Sequence, residues 1–340
     1  MSRLPIESML SPQLEVLFSR SLASLRPVIV SFLIVHAMSL SGGLDQALSP
    51  CNVLLVGNFC AAMLVLTLFK PAAILREISE LPWSIKGLML LDGALTALIS
   101  ALIFTGLEYT TASNAILIGR MAPVLYALIG ALALGTVLAR PVWIGNGFII
   151  VGVLMIVLFS TGGNVNKGDA MMIASTFVFS IVSIIGKKLV SRKISMPVLL
   201  FARNLSGSVI FFFVAIYLFG VHHFADVFAG SLWVVMLVYA GLIIVVSQWL
   251  WYKASAELNS VSMGRWASPA PLVGLTFAYF VNNNIPDSKQ LIAAVVILVG
   301  IAITTFGKPA PVAQVAEDKR ETSSKADLLM QGDNVVSPSV

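Results

Sequence analysis

The chain has 340 residues, of which 58% are hydrophobic and 11% charged, with a net charge of +5 and a mean hydropathy of +0.95. Soluble domains are nearer half apolar and a quarter charged, so the apolar surplus belongs against lipid and a soluble fold is excluded. The basic residues form no stripe interleaved with aromatics, so the charge is read as membrane topology and no nucleic-acid partner is expected.

Residues 1–26 carry Pro12, Glu15, Arg20 and Arg26 and show neither an uninterrupted apolar core nor a small-residue cleavage site, unlike a signal peptide. Leu14, Leu17, Phe18, Leu22 and Leu25 recur at helical spacing. A cytoplasmic N-terminal segment over 1–26 is expected, either an amphipathic helix on the membrane surface or a frayed tail.

A span needs about 20 apolar residues to cross ~30 Å of hydrocarbon. Ten such segments are predicted: 27–44, 50–69, 86–107, 112–134, 141–159, 169–186, 197–219, 231–252, 261–281 and 290–306. With the N-terminus inside, sixteen of the 21 Lys and Arg face the cytoplasm and only Lys167 and Lys289 face out, which is the positive-inside pattern. Arg120, Arg203 and Arg265 remain within spans. Five spans per half give the halves opposite orientation, with the joint between Gly162 and Gly168. The expected domains are therefore 27–160 and 168–306, followed by a polar, disordered cytoplasmic tail over 307–340. The expected location is the cell's inner membrane, with both termini cytoplasmic.

The halves echo each other at an offset of 148. Phe104 falls on Tyr252, Ala112 on Ser260, Pro123 on Pro271, Ile149 on Ile297 and Gly152 on Gly300, with no gap needed from Pro123 onward. Each half also closes with comparable features. The first carries Leu107-Glu108-Tyr109-Thr110-Thr111-Ala112-Ser113-Asn114-Ala115, then Pro123, then Leu134-Gly135 before the fifth span and Gly152 inside it; the second has Ser260, Pro271 and Gly300 in register. This pattern, over about residues 27–306, resembles the EamA-type ten-helix permeases of the drug/metabolite transporter superfamily. The chain departs from the family's habits at Thr136, where Glu is common, and at Asn58-Phe59, where Arg-Phe is common. The resemblance implies a secondary transporter with an export role, moving a small metabolite by alternating access.

Ionisable residues within spans cost about 2.5–3.5 kcal/mol each on insertion scales and so point to function. Arg120, deep in the fourth span, is expected to line a cavity and hold a substrate anion, or else to pair with Asp92 or with carbonyls freed by Pro123. Arg203 and Arg265 form a basic inner vestibule or snorkel to headgroups. Asp92 pairs with an arginine or takes a proton during transport. His36 in span one, unless it is a hydrogen-bonded core residue, and Asn58 in span two are candidate substrate-binding residues with Gln248 and Trp249, which face the pore, while Trp251 and Tyr252 join an interfacial aromatic belt. Pro123, Pro269 and Pro271 kink helices at matching places in the two halves, as bending between inward- and outward-facing states requires. Three span arginines against one aspartate predict a cationic site and so a substrate with a carboxylate or phosphate, for which an amino acid or organic anion is the expected class. Cys51 and Cys60 have no metal spacing, and there is neither a Walker loop nor a Ser-His-Asp or Cys-His set, so no cofactor, metal or catalysis is expected. Proton coupling and a homodimer stay open. The alternative is a non-transporting membrane protein, an enzyme on lipid-linked substrates or an assembly partner.

Overall fold

The computed structural model describes residues 10–41, 48–134, 138–159, 165–258, 269–283 and 287–307, with 263, 266 and 267. Among these residues it is helical, with no strand. Two short helices open the chain, α1 (Pro12–Ser24) and α2 (Arg26–Val35), followed by α3 (Pro50–Leu68), α4 (Pro71–Glu80), α5 (Trp83–Leu107), α6 (Ala112–Ile118), α7 (Met121–Leu134) and α8 (Arg140–Phe159). The second half holds α9 (Lys167–Ser191), α10 (Met196–Phe219), α11 (Gly230–Tyr239), a wide π turn (Ala240–Val246), α12 (Ser247–Glu257), α13 (Ala270–Asn282) and α14 (Ser288–Phe306). Nine helical runs among the described residues are long and apolar enough to cross a membrane, and α13, at 13 residues, is a shorter tenth.

The first run departs from the sequence expectation. It extends from Pro12 to Val35 rather than from 27 to 44, so most of the segment read as cytoplasmic belongs to the bundle. Val16, Ser19 and Glu15 are buried in it. Pro27 lacks the N–H that would reach Ala23, so the helix bends at Leu25, whose N–H bonds Leu22 O at 3.1 Å, and then resumes. The positive-inside tally loses Arg20 and Arg26 and keeps its direction.

Loops meet in two sets. The N–H of Ser195 donates to Glu77 Oε1 of the surface helix α4 at 2.7 Å, joining two Lys/Arg-rich connections. At the other end Thr110 Oγ1 donates to Asp169 Oδ1 at 2.5 Å and Gln290 Nε2 donates to Asn114 Oδ1 at 2.7 Å. Outward faces carry Phe213, Tyr217, Val234, Phe280 and Val295, all exposed, which suits lipid rather than water.

The fifth helices of the two halves, α8 and α14, cross in opposite directions. A Cβ on Gly145 would lie 2.5 Å from Gly300 O, one on Gly300 would lie 2.6 Å from Gly145 O, and one on Gly152 would lie 3.0 Å from Ala293 O. The offset of 148 carries Gly145 onto Ala293 and Gly152 onto Gly300. The two contacts thus exchange under it, as two inverted halves around one axis demand.

Candidate functional site

Pro123 breaks the fourth span. It cannot bond Gly119, whose carbonyl instead accepts from Ala122 N at 3.2 Å, and the chain steps at Gly119-Arg120 between α6 and α7. Pro269 caps α13 and Pro271 lies in its first turn, as Pro123 lies in the first turn of α7.

A cavity sits between α2, α3, α5, α10 and the helix through the π turn. It is about 30 Å3 in volume and is lined by Arg26, Asn58, Thr96, Ser100, Asn204, Tyr239 and Gln248 among apolar neighbours. Tyr239, Ile244 and Gln248 line it at spacings of five and then four, the five crossing the π turn. Such an extra residue re-aims a helix face and often marks a functional position. A second chamber of about 150 Å3 adjoins it and ends at the exposed Glu108. The two share Leu33, Val53 and Phe104, an apolar neck.

Arg26 Nη2 donates to Ser100 Oγ at 2.5 Å, Ser100 Oγ donates to Thr96 O at 3.0 Å, and Thr96 Oγ1 donates to Asp92 O at 2.7 Å. Asp92 in turn is gripped by Arg203, at 2.6 Å from Nε and 3.0 Å from Nη2. Gly93 makes the grip possible, because a Cβ there would lie 2.5 Å from Ser206 Cβ on α10. A polar ladder therefore runs from a two-pronged ion pair to the cavity arginine. Asn58 and Asn204 each donate their amide to a carbonyl four residues back, at 2.7 Å. Two buried atoms of cavity residues have no protein partner: the Arg26 Nε donor and the Gln248 Oε1 acceptor.

Among the residues singled out in the sequence, Asn58 and Gln248 reach the cavity, and Asp92 and Arg203 join it through the ladder. Arg120 does not line it; its Nε lies 3.4 Å from Ile116 O at the helix break. His36 is exposed at the C-terminal end of α2, past the span, stacked on Phe32 at 4.1 Å. Trp249 stacks on Phe69 at 4.9 Å rather than facing the cavity. Trp251, half-buried, lies beneath Arg20 at 3.7 Å, and Tyr252, also half-buried, lies beside Arg203. Arg265 lies outside the described residues. Arg26, Asn204, Thr96 and Ser100 were not singled out from the sequence. The stripe Asp92-Thr96-Ser100, four residues apart on one helix face, was a readable signal for the latter two.

The EamA-like transporter family model matches residues 16–158 and 166–306, once for each half. The chain belongs to the EamA-like transporter family. It is 28% identical over 270 residues to an uncharacterized transporter of Synechocystis sp., covering 76% of each chain. It is 26% identical over 230 residues to an uncharacterized transporter of Archaeoglobus fulgidus, covering 66% of this chain and 76% of that one. A solved crystal structure shares the fold with a TM-score of 0.55 at 17% identity, covering 85% of this chain and 96% of the other. This EamA-like protein is thus a multi-pass membrane transporter, and its central cavity is where the two five-helix halves enclose polar groups.

Proposed function

We propose that this EamA-like transporter exports a small carboxylate, best an amino acid, across the inner membrane by alternating access, with Arg26 as the substrate-binding residue. The observation that carries the reading is the cavity's pair of unpartnered buried atoms. Arg26 Nε offers a donor for a carboxylate, and Gln248 Oε1 offers an acceptor for an ammonium group. A buried donor or acceptor left without a partner costs about 1–3 kcal/mol, which a bound zwitterion would recover on both sides. The site is thus centred on Arg26 rather than Arg120, with Asn58, Asn204 and Gln248 around the ligand and Asp92–Arg203 holding the ladder behind it. The Lys/Arg bias supports cytoplasmic termini. Export follows the resemblance, and coupling to protons is the other half of the same assay.

The test is uptake into proteoliposomes of labelled amino acids, organic acids and sugar phosphates, with cationic dyes as controls, each with and without a proton gradient. Saturable uptake of an amino acid or organic acid is expected, reduced at least tenfold in Arg26→Ala. Uptake of cationic dyes alone, or an anion uptake indifferent to Arg26→Ala, would overturn the assignment.

A further inference from the structure

On the far side of the cavity from the Glu108 chamber, α1 and α12 are pressed together. Ser19 and Ser247 exchange hydrogen bonds, Oγ to backbone O, at 2.7 and 3.2 Å, and Lys253 Nζ donates to the buried Glu15 Oε1 at 2.5 Å. Arg20 sits in this seam with its guanidinium over Trp251 and its Nε buried without a partner. Arg120 approaches the same seam from the end of α6. The packing explains why. A Cβ on Gly274 would lie 2.9 Å from Ser24 O and 3.1 Å from the Ile116 Cδ1 methyl. Arg20 and Arg120 each stand one turn from those residues, in the same direction along oppositely running helices.

Among the described residues the ion pairs are Arg76–Glu80, Arg203–Asp92 and Lys253–Glu15. Glu15 is held by Lys253 through Oε1 and keeps its Oε2 without a partner, Asp92 is held by Arg203, and neither carboxylate is paired with Arg20 or Arg120. Two neighbouring arginines inside spans, without a carboxylate of their own, are expensive to insert unless an anion visits them. Arg20 is six residues from Arg26, about 9 Å along the helix axis.

We propose that Arg20 and Arg120 form a second anion site, which receives the carboxylate or phosphate of the transported molecule after it leaves Arg26 toward the α1–α12 side. The site rests on the transport reading but is separate from the Arg26 cavity. An anion there draws Arg20 off Trp251 and offsets the positive charge in the seam. The same chemistry would accept a phospholipid headgroup phosphate.

The test uses the full chain in nanodiscs of neutral phosphatidylcholine, titrated with sodium acetate and separately with inorganic phosphate at constant ionic strength. Tryptophan emission is followed, and the Trp251→Phe signal is subtracted. A saturable Trp251-dependent change is expected, its midpoint raised at least tenfold in Arg20→Gln/Arg120→Gln and left in place in Arg26→Ala. The single Arg120→Gln, which leaves Arg20 over the reporter ring, is expected to raise it several-fold and carries the test if the double variant does not fold. No Trp251-dependent change, or a midpoint indifferent to Arg120→Gln, overturns the proposal without touching the Arg26 assignment, which stands or falls by uptake. Repeating the titration in phosphatidylglycerol discs separates the sources. A midpoint raised beyond the depletion of anions that the negative surface itself causes identifies a competing headgroup, and one raised by no more than that identifies the free anion; both support the site.

Discussion

At the scale of residues, the decisive pair is Asp92 with Arg203. Their side chains are only 4% and 13% exposed, and the contact is two-pronged. Within a bundle, removing one partner strands the other charge, a loss of about 3–5 kcal/mol for buried pairs. Asp92→Asn is therefore expected to lower the thermal midpoint of the detergent-purified protein sharply. Asp92→Asn combined with Arg203→Met should recover much of that loss, since no lone guanidinium remains. A double variant no more stable than Asp92→Asn alone would show that the stranded charge is not the cause. The sequence made Asp92 a partner for some arginine but could not choose among three, because the choice is made by Gly93 bringing α10 against α5. That contact joins positions more than a hundred residues apart, and local pattern carries no trace of it.

At the scale of elements, apolar run length was enough to place most spans. Helices 50–68, 83–107, 140–159, 196–219 and 288–306 end within a few residues of the expected bounds, because a run this apolar has one environment in which to lie. The first span was expected too late in the chain, at 27–44 instead of 12–35, for a reason that is itself local. Two arginines and Pro27 read as loop, whereas Pro27 falls in the first turn of α2, where a proline is tolerated. That one shift moved Arg26 from a cytoplasmic segment to the cavity wall. The surface helix α4 was missed, being a ten-residue amphipathic helix too short and polar for a span pattern. The α1–α12 seam makes a further prediction. In a background with Cys51 and Cys60 replaced, Ser19→Cys/Ser247→Cys should cross-link under oxidant or a short bifunctional thiol reagent. Transport of the substrate identified by uptake should then stop and return on reduction. Full transport with the cross-link in place would mean that the seam does not open in the cycle.

At the scale of the whole molecule, the inverted halves meet along α8 and α14, and the 148-residue offset turns a packing detail into a symmetry test. The sequence echo marked Gly152 and Gly300 as equivalent but did not say what they touch. Gly300 faces Gly145, while Gly152 faces Ala293 and Ile297. Small residues at such crossings let backbones approach, and in lipid that approach supplies much of the helix association. A side chain at Gly145 would meet Gly300 O at 2.5 Å, and one at Gly300 would meet Gly145 O at 2.6 Å; both obstacles are backbone and cannot swing aside. Gly147, on the same helix, has nothing within 4 Å of its would-be Cβ. Gly145→Leu and Gly300→Leu are thus expected to destabilise the protein by comparable amounts, at least the ~1–3 kcal/mol typical of overpacking. Gly147→Leu should be near neutral, or slightly stabilising through helix propensity. Thermal melts of the three purified variants in one detergent decide it. Should Gly147→Leu lose as much as the other two, the loss would come from helix insertion and not from the seam, and the two halves would have to be held together elsewhere.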